Sequence, residues 1–441
     1  MTTPIFDFVR SYAERGKHRF HMPGHKGVGL IGCEAYDITE ISGADVLYSA
    51  DGIIHESENN LTAIYGTSHS FYSTEGSTLA IKAMLYLACR GTGESCPLVL
   101  AARNVHTAFV KAAALIDIDV SWIYPEDLGH LCECRIDSFD VERAILSAER
   151  KPSAVYVTSP DYLGNLLDIR GIASVCRKYD VPLLVDNAHG AYLKLLREDM
   201  HPMTLGAAMC ADSAHKTLPV LTGGAYLHVS KDYPQFAGEA RMALSLFAST
   251  SPSYLILSSL DVCNKLICDG YRGKIADLVN KTLQIKEKIR EIGFVVRESE
   301  PLKIVIEAGC ELARYLHDNG CEVEFSDNDF TVLMLTPENT DEDLSLLLDL
   351  LSSFEGKRGC GEIMSVSPHE RAVSIREAVF AESETVSAQD AVGRVCASPT
   401  VSCPPAVPIL ISGEIITSDD VKLFIHYGVD KISVIKNKSK E

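Results

Sequence analysis

Between about residue 60 and residue 230 short apolar runs alternate with segments of helical periodicity, and that alternation commits the chain to an α/β fold, a parallel sheet wrapped by helices. The candidate strands are Pro97 to Ala101, Val120 to Tyr124, Ala154 to Thr158, Leu183 to Asp186 and Ala225 to Val229. Between them Ala80, Ala83, Met84 and Leu87 recur at i, i+3, i+4, i+7, one buried helix face. Ile172 to Tyr179 is a crossover helix, stopped by Asp180, Val181 and Pro182. Residues from about 254 to 295 read as mostly helical, and KTLQIKEKIREIG closes on Gly293 as a C-terminal glycine. Beyond it the strand-like pieces KIVIEAG and FTVLMLT flank the helix ELARYLHDNG, a texture that predicts a second, smaller α+β domain. The expected divisions are an N-terminal segment 1–55, a large domain 56–250, connecting helices 251–295 and a small domain 296–441, with Lys436 to Glu441 frayed.

Sixty acidic residues against 41 basic ones give a formal charge of -19, which weighs against nucleic-acid and anionic-membrane partners. A small anion must then be held by a few local donors. No stretch approaches the roughly 18 apolar residues needed to span a bilayer, and the first residues lack a signal-peptide core, so a cytoplasmic protein is expected. Many of the fourteen cysteines, among them Cys89, Cys176, Cys263 and Cys310, sit inside apolar runs and read as small core residues in a reducing compartment. The lone C-x-C pair of Cys132 and Cys134 lacks a second ligand pair, so no metal is expected.

The chemistry concentrates in PLLVDNAHG, residues 182 to 190, and ADSAHKTLP, residues 211 to 219. A carboxylate at the C-terminal end of a buried parallel strand, here Asp186, lies in the crevice where open α/β sheets bind ligands. Lys216 stands in a polar turn before the next apolar strand. An acid and a lysine so placed match the needs of pyridoxal phosphate: the carboxylate keeps the pyridine nitrogen protonated and the amine forms the Schiff base. Gly76, Ser77 and Thr78 open the amphipathic helix with free N–H groups and two hydroxyls, a phosphate cradle. Ser213 and His215 can add phosphate contacts, and His106 in AARNVH can stack on a cofactor ring or deliver a proton. Each feature has a plainer reading. Asp186 can cap a turn, Gly-Ser-Thr can be an N-cap, His106 a satisfied loop histidine and Lys216 a surface lysine. Their order on alternating strands favours a cofactor site, and the other His-Lys pair, His25 and Lys26, lies upstream of every strand.

The runs HMPGHKG, DITE with ADVL, the Gly-Ser-Thr helix start, RNVH, DNAHG, SAHKTL, TSPSYLILSSLD and VGRVCASPTVSCPPAVPILISGE together resemble the bacterial ornithine/lysine/arginine decarboxylases over nearly the full length. The resemblance implies a fold-type-I pyridoxal-phosphate enzyme with a mainly parallel seven-stranded sheet, flanking helices and a smaller C-terminal α+β domain. It implies the short biosynthetic form, without an N-terminal receiver-like wing. It makes Lys216 the cofactor-bearing lysine, Asp186 the pyridinium partner and His106 the stacking group. His189 supports the ring beside Ala188, and Gly76, Ser77, Thr78, Ser213 and His215 hold the phosphate. Lys216 or His215 would return the proton to Cα. Asp45 and Glu414, each in a matching segment, are the candidates for reading the substrate's cationic tail. The substrate is a basic amino acid, arginine or lysine ahead of ornithine, in polyamine-type metabolism. The site is expected between subunits of a homodimer or higher homo-oligomer, completed by the neighbour's HMPGH segment and TSPSY turn. Three departures stand out: Glu75-Gly76-Ser77-Thr78 replaces the family's Asn-Gly-Thr-Ser, Asn187 stands where a glutamate is usual, and Gly223 replaces a glutamine. An aminotransferase or side-chain lyase is the alternative enzyme, with Arg371, Arg376 or Arg394 gripping the α-carboxylate. A catalytically silent relative that regulates an active decarboxylase is the alternative outside enzymology.

Overall fold

The computed structural model describes residues 1–361, 363–398 and 406–437. Part of the VGRVCASPTVSCPP run and the last four residues of the expected frayed end therefore lie outside the described residues. Seven strands, β1 (His69–Ser73), β2 (Leu98–Ala102), β3 (Asp119–Ile123), β4 (Ala154–Thr158), β5 (Leu183–Asp186), β6 (Met209–Asp212) and β7 (Ala225–Val229), form one sheet in the order β1-β7-β6-β5-β4-β2-β3. The β2/β3, β2/β4 and β5/β6 pairs are parallel, whereas β7 runs antiparallel to both β1 and β6. The five strands read from the sequence are present within a residue of their expected limits. The structure adds β1 and β6, which carry serine, histidine, cysteine and aspartate rather than a continuous apolar run.

The chain divides into two compact units, residues 1–88 with 182–277, and residues 89–181 with 278–441. In the first, β5 is buried along its whole length, as a strand covered on both faces must be, and its apolar run ends abruptly in Asp186. The expected helical stretch after residue 254 is two helices, Tyr254–Leu266 and Arg272–Glu291, separated where Gly270 takes φ 113°. In the second unit Val296–Arg297, Lys303–Ile306, Phe325–Ser326 and Thr331–Met334 build a four-stranded antiparallel sheet, and Ser383–Ser387 pairs with Lys431–Ile435. The helix ELARYLHDNG spans Cys310–Asp318, and Gly293, at φ 101°, ends the preceding helix as its sequence predicts.

One buried carboxylate fastens the N-terminal helix Pro4–Glu14 to the first unit. Asp261 accepts from the backbone N–H groups of Ile5 (2.9 Å) and Phe6 (3.0 Å), which the first turn of a helix leaves without internal partners, and from Ser57 Oγ (2.5 Å). Burial pushes its carboxyl up from 3.8 to about 6 against the pull of these donors. A folded value above the unfolded one means that the folded protein holds the proton longer, so this group's contribution to stability is fully present below about pH 4 and declines as pH rises to about 6. Urea unfolding of the wild type and of Asp261→Asn should show their stability difference moving against the wild type across that window, by on the order of 1–3 kcal/mol.

Candidate active site

Asp186 ends β5 with 2% of its surface exposed, and its Oδ1 accepts from the N–H of Ala188 at 3.2 Å. The turn that follows is tight: Asn187 N–H donates to Ala211 O on the neighbouring strand, and Gly190 N–H donates back to Asn187 O at 2.8 Å. A Cβ on Gly190 would stand 1.9 Å from Asn187 Oδ1, so only glycine fits there. The turn delivers His189, itself buried, so that its Nε2 lies 2.9 Å from Lys216 Nζ. Lys216 sits on the single helical turn Ala214–Thr217 that follows β6, closed by Lys216 N–H to Ser213 O and Leu218 N–H to Ala214 O. Asp186, His189 and Lys216 thus stand at or just past the ends of two consecutive strands, and the histidine and the lysine meet.

Opposite ends of the same unit meet at the hydroxyls. Ser213 Oγ donates to Ser77 Oγ at 2.8 Å, joining the Lys216 segment to the first turn of the helix Gly76–Cys89. Gly76 takes φ 69°, with Ser73 Oγ donating to its carbonyl. Its N–H is not free, contrary to the sequence expectation, because it donates to Gly223 O at 2.8 Å. The donors available at this helix start are the Ser77 and Thr78 groups, both half-buried. The acid beside them is turned aside: Glu75 Oε1 accepts from the N–H of Ser249 at 2.7 Å.

His215 donates from Nδ1 to Gly224 O at 2.9 Å, which leaves the lone pair on Nε2. Burial, with the Lys216 charge adding to it, lowers its pKa against the effect of the Gly224 carbonyl. A neutral His215 thus presents an acceptor, and it can donate to a phosphate oxygen only after gaining a second proton.

The remaining sequence candidates are each engaged in local contacts. His106, in the second unit, is the N-cap of the helix Thr107–Ile116; its Nδ1 accepts from Ala108 N–H at 3.1 Å, placing the neutral ring's proton on Nε2. Asp45, with φ 70°, accepts at its two carboxylate oxygens from the N–H groups of Val46, Asp51, Gly52, Ile54 and His55 and so organises the start of the helix Ile53–Tyr65. Glu414 is buried, accepts from Ile411 N–H at 2.8 Å and stands 3.6 Å from Arg103 Nη2. Both carboxylates are thus engaged within the protein. The three arginines are engaged as well: Arg371 with Asp119 at 2.7 Å, Arg376 with Ala114 O, and Arg394 with Glu384 and Ile435 O.

Two groups of side chains of metal-binding type are tied up in hydrogen bonds. In the group of His201, Cys210 and Asp212, His201 Nδ1 accepts from Met203 N–H; in that of His130, Asp327 and Asp329, His130 Nδ1 accepts from Cys132 N–H. A metal on either Nε2 would need the proton on Nδ1, where the backbone already donates. Cys132 and Cys134 are buried, with thiol pKa values raised by burial, to about 11 for Cys134.

A buried acid, a lysine held by a histidine, and hydroxyls at a helix start form a donor set that suits pyridoxal phosphate, and the fold is that of the fold-type-I enzymes that use it. The chain belongs to the Orn/Lys/Arg decarboxylase family: residues 3–309 match its major domain and residues 363–428 its C-terminal domain. It is 30% identical to an arginine decarboxylase of Halalkalibacterium halodurans over 95% of this chain and 92% of that one. It is 28% identical to the arginine decarboxylase of Bacillus subtilis, with the same coverage. Among solved structures, a lysine decarboxylase of Francisella novicida superposes with a TM-score of 0.80 at 17% identity, covering 98% of this chain and 81% of that one. The protein is accordingly a pyridoxal-phosphate-dependent decarboxylase acting on a basic amino acid.

Sequence reasoning passed over Asp212, His201 and His228, although a polar residue ending a buried strand was the signal that singled out Asp186. It flagged Gly223 only as a departure. Gly223 has φ 98°, and a Cβ there would lie 2.9 Å from Thr74 O and 3.2 Å from Ile256 Cδ1. Gly223→Ala should cost about 1–3 kcal/mol in chemical unfolding. Gly273→Ala, in the helix Arg272–Glu291 with open space around a Cβ, should instead gain about 0.5–1 kcal/mol and serves as the control.

Proposed function

We propose that this chain converts arginine to its amine and carbon dioxide in the cytoplasm, as part of polyamine-type metabolism, and that Lys216 Nζ carries the cofactor. The approach of Lys216 to His189 within 2.9 Å, at the end of the strand closed by buried Asp186, is the observation that carries the site assignment. The identity with relatives named arginine decarboxylase supports the substrate. When bound, pyridoxal phosphate supplies an electron sink for the pair left at Cα as carbon dioxide departs. Asp186, buried at the end of its strand, would hold the proton on the pyridine nitrogen once the cofactor is bound. Ser77 and Thr78 would hold the phosphate through their hydroxyls, beside Gly76 and with Ala188 lining the wall, while Ser213 donates to Ser77 Oγ. The family resemblance assigns ring stacking to His106, which belongs to the second unit. His189 fixes where Nζ stands. Because burial keeps His215 neutral, Lys216 returns the proton to Cα and His215 Nε2 serves as an acceptor beside it. Arg371, Arg376 and Arg394 are all engaged within the second unit, which favours decarboxylation over a reaction that needs an arginine clamp on the α-carboxylate.

The working unit we infer is a homodimer with the site at the subunit interface. Phe20, Leu30 and Ile31 in the N-terminal segment are 96%, 80% and 85% exposed, an apolar stretch that a second copy would cover. No helix among the described residues is long and apolar enough to cross a membrane.

Arginine, lysine and ornithine assayed for carbon dioxide and amine together should give the highest kcat/KM with arginine. The wild type should show a visible absorption band that borohydride abolishes, and Lys216→Ala should lack both the band and turnover. Keto-acid formation without carbon dioxide would overturn the reading in favour of an aminotransferase.

A further inference from the structure

We propose that Asp212 is a positioning residue for the cofactor site: through Asn187 it pins the turn carrying Asp186 and His189, and through the chain to Ser213 it pins the segment carrying Lys216. The inference rests on the site reading above. Asp212 ends β6, is fully buried, and accepts from four side chains on four segments. Its Oδ1 takes Asn187 Nδ2 at 2.8 Å and Cys210 Sγ at 3.2 Å; its Oδ2 takes His201 Nε2 at 2.9 Å and His228 Nε2 at 3.2 Å.

The polarity of this hub is one-way. His201 Nδ1 accepts from Met203 N–H, so its Nε2 carries the proton and can only donate. His228 Nδ1 lies 2.7 Å from the Ser70 hydroxyl, which can donate to it and leave Nε2–H for Asp212. Tyr65 stacks on His228 with ring centroids 4.3 Å apart, and Tyr65 and Tyr226, both fully buried, close the hub against water. The nearby Asp199 and Lys194 pair with each other at 2.6 Å, and Asp186, opposite Ala211 on the neighbouring strand, is the further carboxylate near the group, its charge raising the same Cys210 thiol that Asp212 raises. Burial alone would raise the Asp212 carboxyl, but the two imidazoles outweigh it and hold the group ionised. Asn187 Oδ1 has no hydrogen-bond partner and lies against Gly190, so Asn187 meets Asp212 only as a donor. The next residues complete the linkage: Ser213 reaches Ser77, and Lys216 reaches His189 on the turn that Asn187 anchors. The asparagine in place of the family's usual glutamate is what this buried anion requires, since a second carboxylate would face it at hydrogen-bond distance.

The test uses the full-length protein, resolved from cofactor and titrated with pyridoxal phosphate between about pH 5 and pH 8, with the visible band and the borohydride-fixed fraction as readouts. Asn187→Asp sets two carboxylates together, which cannot both ionise; it should bind about tenfold or more weakly at pH 8 and recover toward pH 5 as the pair takes up a proton. Asn187→Ala should lose affinity without that pH dependence. The exchange Asn187→Asp with Asp212→Asn restores one donor facing one acceptor, and should return affinity to within about threefold with a flat profile. The melting temperature of the cofactor-free proteins should carry the same pH signature in Asn187→Asp alone. Wild-type affinity and profile in Asn187→Asp, or a folded double variant no better than it, would overturn the proposal. A wild type that captures no cofactor would instead sink the site reading, and the cofactor-free melting profiles would still decide whether Asp212 pins the turn.

Discussion

Two carboxylates buried at the ends of the adjacent parallel strands β5 and β6 set the terms for everything around the site. Asp186 lies opposite Ala211 in the register, so Asp212 stands one residue further along the neighbouring strand. Removing one such charge from water costs several kcal/mol unless donors replace the lost hydration. At Asp212 the donors are two imidazoles, an amide and a thiol, drawn from β6, β7, the turn after β5 and the cap of a short helix. Satisfying that anion brings four segments to one point. The precision with which Lys216, His189 and Ser213 meet follows from a burial problem solved one residue away.

The division of labour between the two acids follows from their partners. Asp212 is ringed by side-chain donors and is held as a fixed anion, so it is a structural charge. Asp186 sits at the head of a tight turn whose backbone folds over it, close to a histidine that engages a lysine, an environment where a proton on an incoming ring nitrogen can be matched by one buried negative charge. The overall charge of -19 does not enter at this range, since exposed carboxylates are screened within about 10 Å.

What could be read from the sequence was what hydrophobic patterning and short motifs encode. The run ending in Asp186 announced itself because burial on both faces demands unbroken apolar residues, and Ala225 to Val229 because only His228 interrupts its apolar pattern. β1 and β6 did not, because their polar residues are buried by one another: Ser70 with His228, and Asp212 with His201, pairings that exist only after the sheet has formed. The helix start at Gly76 was legible as a donor site, but the loss of its first N–H to Gly223 depends on a loop nearly 150 residues away. Asp45 matched a family segment, yet its role comes from a left-handed backbone that turns its carboxylate onto five N–H groups, a conformation that no local pattern specifies.

The three departures from the family pattern have a common explanation in this geometry. Glu75 would repel a phosphate bound at the neighbouring hydroxyls if it pointed inward, but its carboxylate is committed to Ser249 N–H. Gly223 gives up a side chain that could have reached the site, and in return its carbonyl approaches closely enough to bind Gly76 N–H while its own backbone adopts a φ that favours glycine. Asn187 supplies the donor that a glutamate could not supply to Asp212. Each substitution is therefore answered by a specific partner within the same unit, and two of the three partners are backbone groups, which only the folded path of the chain can bring into place. The expected cost to cofactor binding from the three changes is thus offset locally.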